Sequence, residues 1–166
     1  LTPQQNGAQL IEGVPYTWLT NGERDYPVTV DFEYEKTGNS DGREVWRSGN
    51  TYYVSGFYVL STDDVLVIEP GTVVKVGPGA GVNATGNGGL RIQGEKFDYV
   101  VITSMNHDGV GADIDGSSGS PSAGDYPIAF YNSTGTPTYR YVKIGYAGYG
   151  LNEDGVAIIE DSIFYE

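Results

Sequence analysis

The sequence predicts an all-β protein built as a solenoid, and three observations lead to that prediction. Four segments repeat one order of a short β run, a turn and a second β run: Val65–Val76, Leu90–Ser104, Ile128–Ala147 and Ala157–Glu166. Repeats of this kind bury their apolar faces against their neighbours. The 14 Tyr residues, with many Val, Ile and Thr, suit β strands, while 25 Gly and 8 Pro disfavour helices. No segment shows a convincing amphipathic helix.

Length and charge restrict the class of protein. The 166 residues are enough for one domain with its own core. The 22 acidic and 9 basic residues give a net charge of −13, which repels nucleic-acid phosphates and anionic lipid headgroups. No apolar run reaches the roughly 18 residues of a membrane span. We therefore expect no nucleic-acid partner and no membrane insertion, and the absence of cysteine excludes disulfides and thiolate sites.

The first 50 residues differ from the repeats and predict an N-terminal arm and a cap. Gln9 to Trp18 is interrupted by a glycine and a proline and favours an extended arm or a short edge strand. Alternation from Val28 to Glu35 places apolar residues on one face and polar, mainly acidic ones on the other. A solenoid end needs a cover, which this strand and Tyr52–Leu60 would provide. The predicted organisation is arm and capping strands at 1–50, and coils at 51–166 with an acidic loop at 105–126.

Residues 46–147 resemble a known fold family. Trp46–Val54 (WRSGNTYYV) followed by Val65–Val76 (VLVIEPGTVVKV) is similar to the first coils of right-handed parallel β-helix domains, the pectate-lyase-like solenoids of secreted bacterial and archaeal surface proteins. The Pro-Gly turn is the most specific piece, because Pro fixes φ and Gly accepts the positive φ of a type II turn. The resemblance implies a short right-handed parallel β-helix and a secreted or cell-surface location.

An acidic loop supplies candidate metal ligands. Thr103 to Tyr126 resembles the loop that these domains insert between coils, although the family usually has Trp at the position of Tyr126. Carboxylate and amide oxygens in a Gly-rich segment suit Ca²⁺, which takes about six to eight oxygen ligands. We therefore predict a calcium site formed by Asn106, Asp108, Asp113, Asp115 and Asp125. The alternative is a solvated loop, because turns are rich in Asp, Gly and Ser.

Two further sets of residues predict contact with glycans. The triplets that begin at Asn83 and Asn132 match the N-glycosylation acceptor and lie in regions that favour polar turns. Tyr139, Tyr141 and Tyr146 are candidates for stacking on sugar rings. The alternative for these tyrosines is cross-strand pairing that stabilises the sheet.

No motif favours catalysis. Asp63 and Asp64 form a pair of carboxylates in a turn, but glycoside hydrolysis needs two acids at a defined separation across the substrate. His107 is the only histidine, and no nucleophile elbow surrounds any serine. We predict that the chain is not an enzyme, with a polysaccharide lyase or hydrolase as the alternative, because parallel β-helices serve both kinds of function.

The leading functional hypothesis is an extracellular or cell-surface structural protein that assembles with copies of itself or with other surface proteins, as a filament or surface-layer subunit. The arm, Leu1–Thr20, would add a strand to a neighbour's exposed edge. The last repeat ends without a polar closing element, which predicts an open solenoid end. The alternatives are a glycan-binding module, a fragment of a polysaccharide-active β-helix enzyme with polysaccharide as its partner, or a domain of a larger surface protein.

Overall fold

The protein is all-β, as predicted. The computed structural model describes residues 8–11, 14–17, 33–85, 89–132, 137–153 and 157–165. These ranges contain 16 strands and no helix. Accordingly, none of the described segments is a helix that could cross a membrane. The chain divides into two compact units, Leu1–Asp31 and Phe32–Glu166.

The first unit contains a β-hairpin. Strands β1 (Ala8–Ile11) and β2 (Val14–Thr17) pair antiparallel, with Ala8 opposite Thr17 and Ile11 opposite Val14. The hairpin lies where the sequence predicts an extended arm or a short edge strand. The division between an arm and cap at 1–50 and coils from 51 stays a prediction.

The second unit is a parallel β-solenoid of about six turns. Its described strands form three stacks, and two long strands, β3 (Glu33–Asn39) and β5 (Thr51–Leu60), contribute to both the first and the second stack. The first stack continues with β7 (Val73–Val76), β10 (Val100–Ser104), β13 (Val142–Gly145) and β16 (Ile163–Tyr165). The second continues with β8 (Gly81–Ala84), β11 (Tyr126–Asn132) and β14 (Ala147–Glu153). The third contains β4 (Arg43–Trp46), β6 (Val65–Ile68), β9 (Gly89–Gln93), β12 (Thr138–Arg140) and β15 (Ile158–Glu160).

The predicted repeats correspond to successive coils. Val65–Val76 contributes β6 and β7, and Leu90–Ser104 contributes β9 and β10. The strands stack in register, so that Thr51 lies opposite Val73 and Val73 opposite Val101. All the described pairings between neighbouring coils are parallel. The right-handedness implied by the resemblance stays a prediction.

The core runs along the solenoid axis as columns of side chains. Trp46, Ile68, Ile92 and Tyr139 follow one another in the third stack and are fully buried. Alternate residues of each strand point inward, because side chains alternate across a strand. Burying one large apolar side chain stabilises the fold by about 1.5–3 kcal/mol, so these columns are the main source of stability.

In the first coil, polar side chains occupy positions that the next coil fills with buried apolar side chains. Glu44 lies opposite the buried Leu66, and Lys36 lies opposite the buried Val54. Glu44 forms an ion pair with Lys36 and accepts a hydrogen bond from the Tyr58 hydroxyl. Its Oε1 also accepts a 3.0 Å hydrogen bond from Trp46 Nε1. Partial burial raises the pKa of Glu44, but the hydrogen bonds from Lys36, Tyr58 and Trp46 outweigh it and hold the pKa below its usual value.

Candidate functional site

The acidic loop packs against the outer face of the first stack. The Ala112 backbone N–H donates a 2.9 Å hydrogen bond to Thr51 Oγ1, and Tyr53 Oη donates to Met105 Sδ at 3.5 Å. Gly111 has a φ of 65°, and a Cβ there would meet Thr51 Oγ1 at 2.5 Å, so the close approach requires glycine. The loop is therefore a strap along the solenoid wall.

Asn106 and Asp125 come together where the strap meets the coil. Asp125 Oδ2 accepts hydrogen bonds from Ser104 Oγ (2.5 Å), Asn106 Nδ2 (3.1 Å) and the Ser122 backbone N–H (3.1 Å). Partial burial raises the pKa of Asp125, but these three donors outweigh it and lower the pKa. Asp125 thus joins the two ends of the strap.

The described hydrogen bonds do not join the other predicted metal ligands to this pair. Asp108 Oδ1 accepts a 2.5 Å hydrogen bond from Ser117 Oγ, and the side chains of Asp113 and Asp115 are exposed. Within the described part of the chain, no three His, Cys, Asp or Glu side chains form a group that could hold a metal ion. The calcium site stays a prediction that would require the strap to rearrange.

His107 and Lys75 form an arrangement that the sequence does not reveal. His107 Nδ1 lies 2.9 Å from Thr103 Oγ1, and the imidazole ring lies edge-on to Tyr146 at 5.4 Å. Lys75 is fully buried although it alternates with the inward-facing Val74 and Val76. Partial burial and the positive charge of Lys75 lower the pKa of His107, while Asp108 opposes them. The signal in the sequence is a lysine at an outward strand position, together with a long insertion that follows the paired strand of the next coil.

This arrangement does not present a nucleophile to solvent. The hydroxyl that forms a hydrogen bond with the imidazole is that of Thr103, and the Thr103 side chain is fully buried. In this structure Thr103 is therefore closed to a substrate. The expectation that the chain is not an enzyme stays a prediction.

The two predicted glycosylation sites lie in strands of the second stack. Asn83 is in β8, and Asn132 is the last residue of β11, so their expected location in polar turns is wrong. Asn132 lies opposite Ala84 and is only 3% exposed. A glycan on Asn132 would have to displace the fold around it. Glycosylation at both asparagines stays a prediction.

The three candidate sugar-stacking tyrosines have different environments. Tyr139 lies in the core, so its predicted stacking on a sugar ring is wrong. Tyr141 lies edge-on to Tyr99 at 5.7 Å, and Tyr146 lies edge-on to Tyr165 at 5.4 Å. Tyr141 and Tyr146 also have φ values of 48° and 64°, a strained conformation for a bulky residue. They form corners between strands and not the cross-strand pairs of the alternative, and their stacking on sugar rings stays a prediction.

The Asp63-Asp64 pair is part of a coil corner. Asp64 accepts hydrogen bonds from Ser40 Oγ (2.5 Å) and from the backbone N–H groups of Gly42 (2.9 Å) and Ser61 (3.1 Å). These bonds, that of Ser40 above all, lower the pKa of Asp64. Asp63 is exposed with a φ of 73°. The pair therefore organises the turn.

A groove of about 470 Å³ crosses successive coils beside the third stack. Its polar lining includes three carboxylates and one guanidinium, those of Glu69, Glu95, Glu160 and Arg140. Arg140 Nε lies 3.6 Å from Glu160 Oε2, and both side chains are about half exposed. Surface ion pairs of this kind contribute about 0–1 kcal/mol.

The last coil exposes apolar side chains at positions that earlier coils bury. Ile159 lies opposite the buried Tyr139 and is 49% exposed, and Phe164 lies opposite the buried Ile144 and is 51% exposed. A cavity of about 250 Å³ opens beside Phe164, between Ile144, Ala147, Gly150 and Tyr165. This end is an apolar surface, which we call the C-terminal coil surface.

Comparison with models of protein families, with curated proteins and with solved structures gave no match. The resemblance seen in the sequence therefore stands at the level of architecture alone. The chain is a parallel β-solenoid of about six turns.

Proposed function

We propose that this chain is a structural module of a secreted or cell-surface protein, which assembles with copies of itself through the C-terminal coil surface. The observation that carries the proposal is the exposure of Ile159 and Phe164 in columns that are buried in earlier coils. The extracellular location rests on the resemblance to surface β-helix domains.

Burial of the C-terminal coil surface would stabilise an assembly. Ile158 and Ile163 are also nearly half exposed in the same coil. Complete burial of an aliphatic or aromatic side chain contributes about 1.5–3 kcal/mol, and contiguous exposed apolar surface marks interaction sites. Several half-exposed side chains together would supply the free energy of a weak to moderate contact.

The strand edges support the same contact. Among the described strands, β14, β15 and β16 are each at the end of their stack and pair with a neighbouring coil on one side only. Their other edges offer backbone N–H and C=O groups to a further strand. The solenoid is polar at its first coil and apolar at its last, so a contact between unlike ends would not close and would produce a filament. The arm, Leu1–Thr20, is the proposed source of an added strand.

Sedimentation velocity and negative-stain electron microscopy test the proposal. We expect concentration-dependent assembly of the wild-type chain, with filaments in the micrographs. Phe164→Lys should abolish it, because a charge cannot be buried in an apolar contact without a partner. Phe97→Lys is the matched control, since Phe97 is 92% exposed at a corner outside the C-terminal coil surface.

Two outcomes would contradict the proposal. If the wild-type chain stays monomeric at high concentration, it does not self-assemble and the proposal is wrong. Assembly that Phe164→Lys leaves unchanged would exclude the C-terminal coil surface as the contact. Deletion of Leu1–Thr20 tests the arm separately, because filaments that persist unchanged without it would exclude strand addition by this segment.

A further inference from the structure

Among the outward positions that the structure describes in the second stack, none carries a charged side chain; Glu153, the last residue of β14, lies in register with the buried Asn132. The strand segments 38–39, 57–60, 81–84, 126–132 and 147–152 contain no Asp, Glu, Lys, Arg or His. The first stack carries exposed Glu33 and Glu35, and the third carries exposed Arg43, Arg91 and Glu160. On a protein with a net charge of −13, a continuous uncharged surface is a distinct feature. We call it the neutral face.

A column of three asparagines, a valine and a tyrosine runs along the neutral face. From the first coil to the last, it contains Asn39, Val59, Asn83, Tyr131 and Asn152, each opposite the next. The residues that alternate with it, such as Tyr58, Val82 and Phe130, are buried, so the column points outward. Adjacent strands lie about 4.7–4.9 Å apart, and the five positions therefore extend over about 19 Å along the solenoid axis.

Two exposed aromatic rings accompany the column. Phe57 is 51% exposed at the next outward position of β5, and Tyr149 of β14 is 74% exposed. Aromatic rings present apolar faces on which the C–H faces of sugar rings can stack. Asn side chains provide two N–H donors and one carbonyl acceptor, the complement of a hydroxyl group, which both donates and accepts.

We propose that the neutral face binds an uncharged, hydroxyl-rich polysaccharide chain that lies along the solenoid axis. An uncharged polymer needs no oppositely charged side chain on the protein. Because the neutral face has no charged side chain, binding the polymer there does not remove water from a charge. The parallel sheet holds the amides at a constant spacing, so little conformational entropy is lost on binding. The proposal is independent of the assembly through the C-terminal coil surface.

A second copy of the chain fits the neutral face less well. Homodimer interfaces have apolar cores and bury about 800 Å² on each partner. The exposed side chains of this column are the amides of Asn39 and Asn152, and the large exposed rings beside it are those of Phe57 and Tyr149. Amides that face one another across a dry interface need matched partners, whereas a polysaccharide offers hydroxyls all along its length.

The experiment measures retention of the unglycosylated chain of residues 1–166 on neutral polysaccharides. Insoluble cellulose, chitin and starch and soluble dextran are the probes, and polygalacturonate is the anionic comparison. We expect retention on at least one neutral polymer and none on polygalacturonate. Asn39→Asp with Asn152→Asp should weaken binding about tenfold or more, as should Phe57→Ser.

Gln93→Glu is the matched control, since it makes the same amide-to-carboxylate change at an exposed position of the third stack. Thermal melts confirm that each variant is folded. No retention on any neutral polymer overturns the proposal, as does binding that the neutral-face variants leave unchanged. Sedimentation velocity is the last measurement. If the wild-type chain is a dimer that the Asn39 and Asn152 substitutions dissociate, the neutral face binds a second copy and the proposal is wrong.

Discussion

Trp46 Nε1 donates a 3.0 Å hydrogen bond to Oε1 of Glu44, two residues earlier on the same strand. The indole is fully buried, and the carboxylate that accepts this hydrogen bond also pairs with Lys36. Glu44 is thus the polar centre of the first coil. Because its pKa is lowered by folding, it links the stability of this coil to pH.

Glu44 should make the solenoid less stable in acid. Its folded-state pKa lies below the usual value of 4.5, so its contribution is present above pH 4.5 and is lost as the pH falls through the folded-state value. We expect Glu44→Gln to lower the free energy of unfolding at pH 7 by about 1–3 kcal/mol and to flatten its dependence on pH below 4.5. Urea unfolding at a series of pH values measures both effects.

The control for Glu44 is Glu95→Gln at an exposed corner. This variant should unfold like the wild type at neutral pH. Equal stability of Glu44→Gln and the wild type at every pH would show that the hydrogen bonds of Glu44 do not stabilise the first coil.

The same isoleucine-to-alanine substitution should have very different costs in the middle and at the end of the column of the third stack. Ile92 is fully buried, while Ile159 is about half exposed. Under monomeric conditions, Ile92→Ala should cost about 2–5 kcal/mol, because it leaves a cavity. Ile159→Ala should cost about 1 kcal/mol or less. Urea unfolding of both variants checks the difference, and equal costs would mean that the last coil is as well covered as the third.

His107 should titrate below its usual pKa of 6.5, and Lys75 should contribute to that shift. The neutral imidazole is favoured in the folded chain, so stability is complete above pH 6.5 and declines as the pH falls below it. His107 is the only histidine, so its NMR signals report one pKa. We expect Lys75→Met to raise that pKa.

Lys143→Met is the control for the titration of His107. Lys143 Nζ lies 4.6 Å from the ring centre of Tyr99, and the lysine is only partly buried. Its removal should leave the pKa of His107 close to the wild-type value. The same change from both substitutions would mean that net charge alone, and not the buried Lys75, lowers the pKa.

Calcium should raise the melting temperature if the strap binds it. A ligand that binds the folded chain alone stabilises it by about 2.7 kcal/mol at 100 times its Kd. Asp113→Asn with Asp115→Asn should remove the effect, because these exposed carboxylates are predicted ligands. Asp41→Asn, at an exposed position before β4, is the control. An unchanged melting temperature at about 10 mM Ca²⁺, above the Kd of about 1 mM of the weakest extracellular sites, would exclude the site.

The solenoid could be predicted because its signals are local. Val65–Val76 contains two β runs and a Pro-Gly turn, and the structure forms β6, the corner and β7 in that order. Gly71 has a φ of 72°, as the predicted turn requires. Stacking then follows, since each repeat needs its neighbours to bury its apolar face.

The candidate sites were harder to predict, because they depend on which face a side chain occupies. Tyr139 and Tyr141 are two residues apart, yet Tyr139 lies in the core and Tyr141 forms a corner with a positive φ. Asn132 matches a glycosylation triplet, but the register of β11 turns it inward. Composition and motif carry no information on these directions.

The amino-acid sequence alone determined that this chain is all-β, repetitive, acidic and without cysteine chemistry, because these properties follow from local propensity and composition. The tertiary structure decided which side chains of the repeats are buried and which are exposed on each face. It placed Lys75 under the strap, Glu44 beside Trp46, and an uncharged column from Asn39 to Asn152 along one face. The physical reason is register: a shift of one residue between neighbouring strands would exchange the inside and the outside of a coil, and only contacts between distant residues select one of the two.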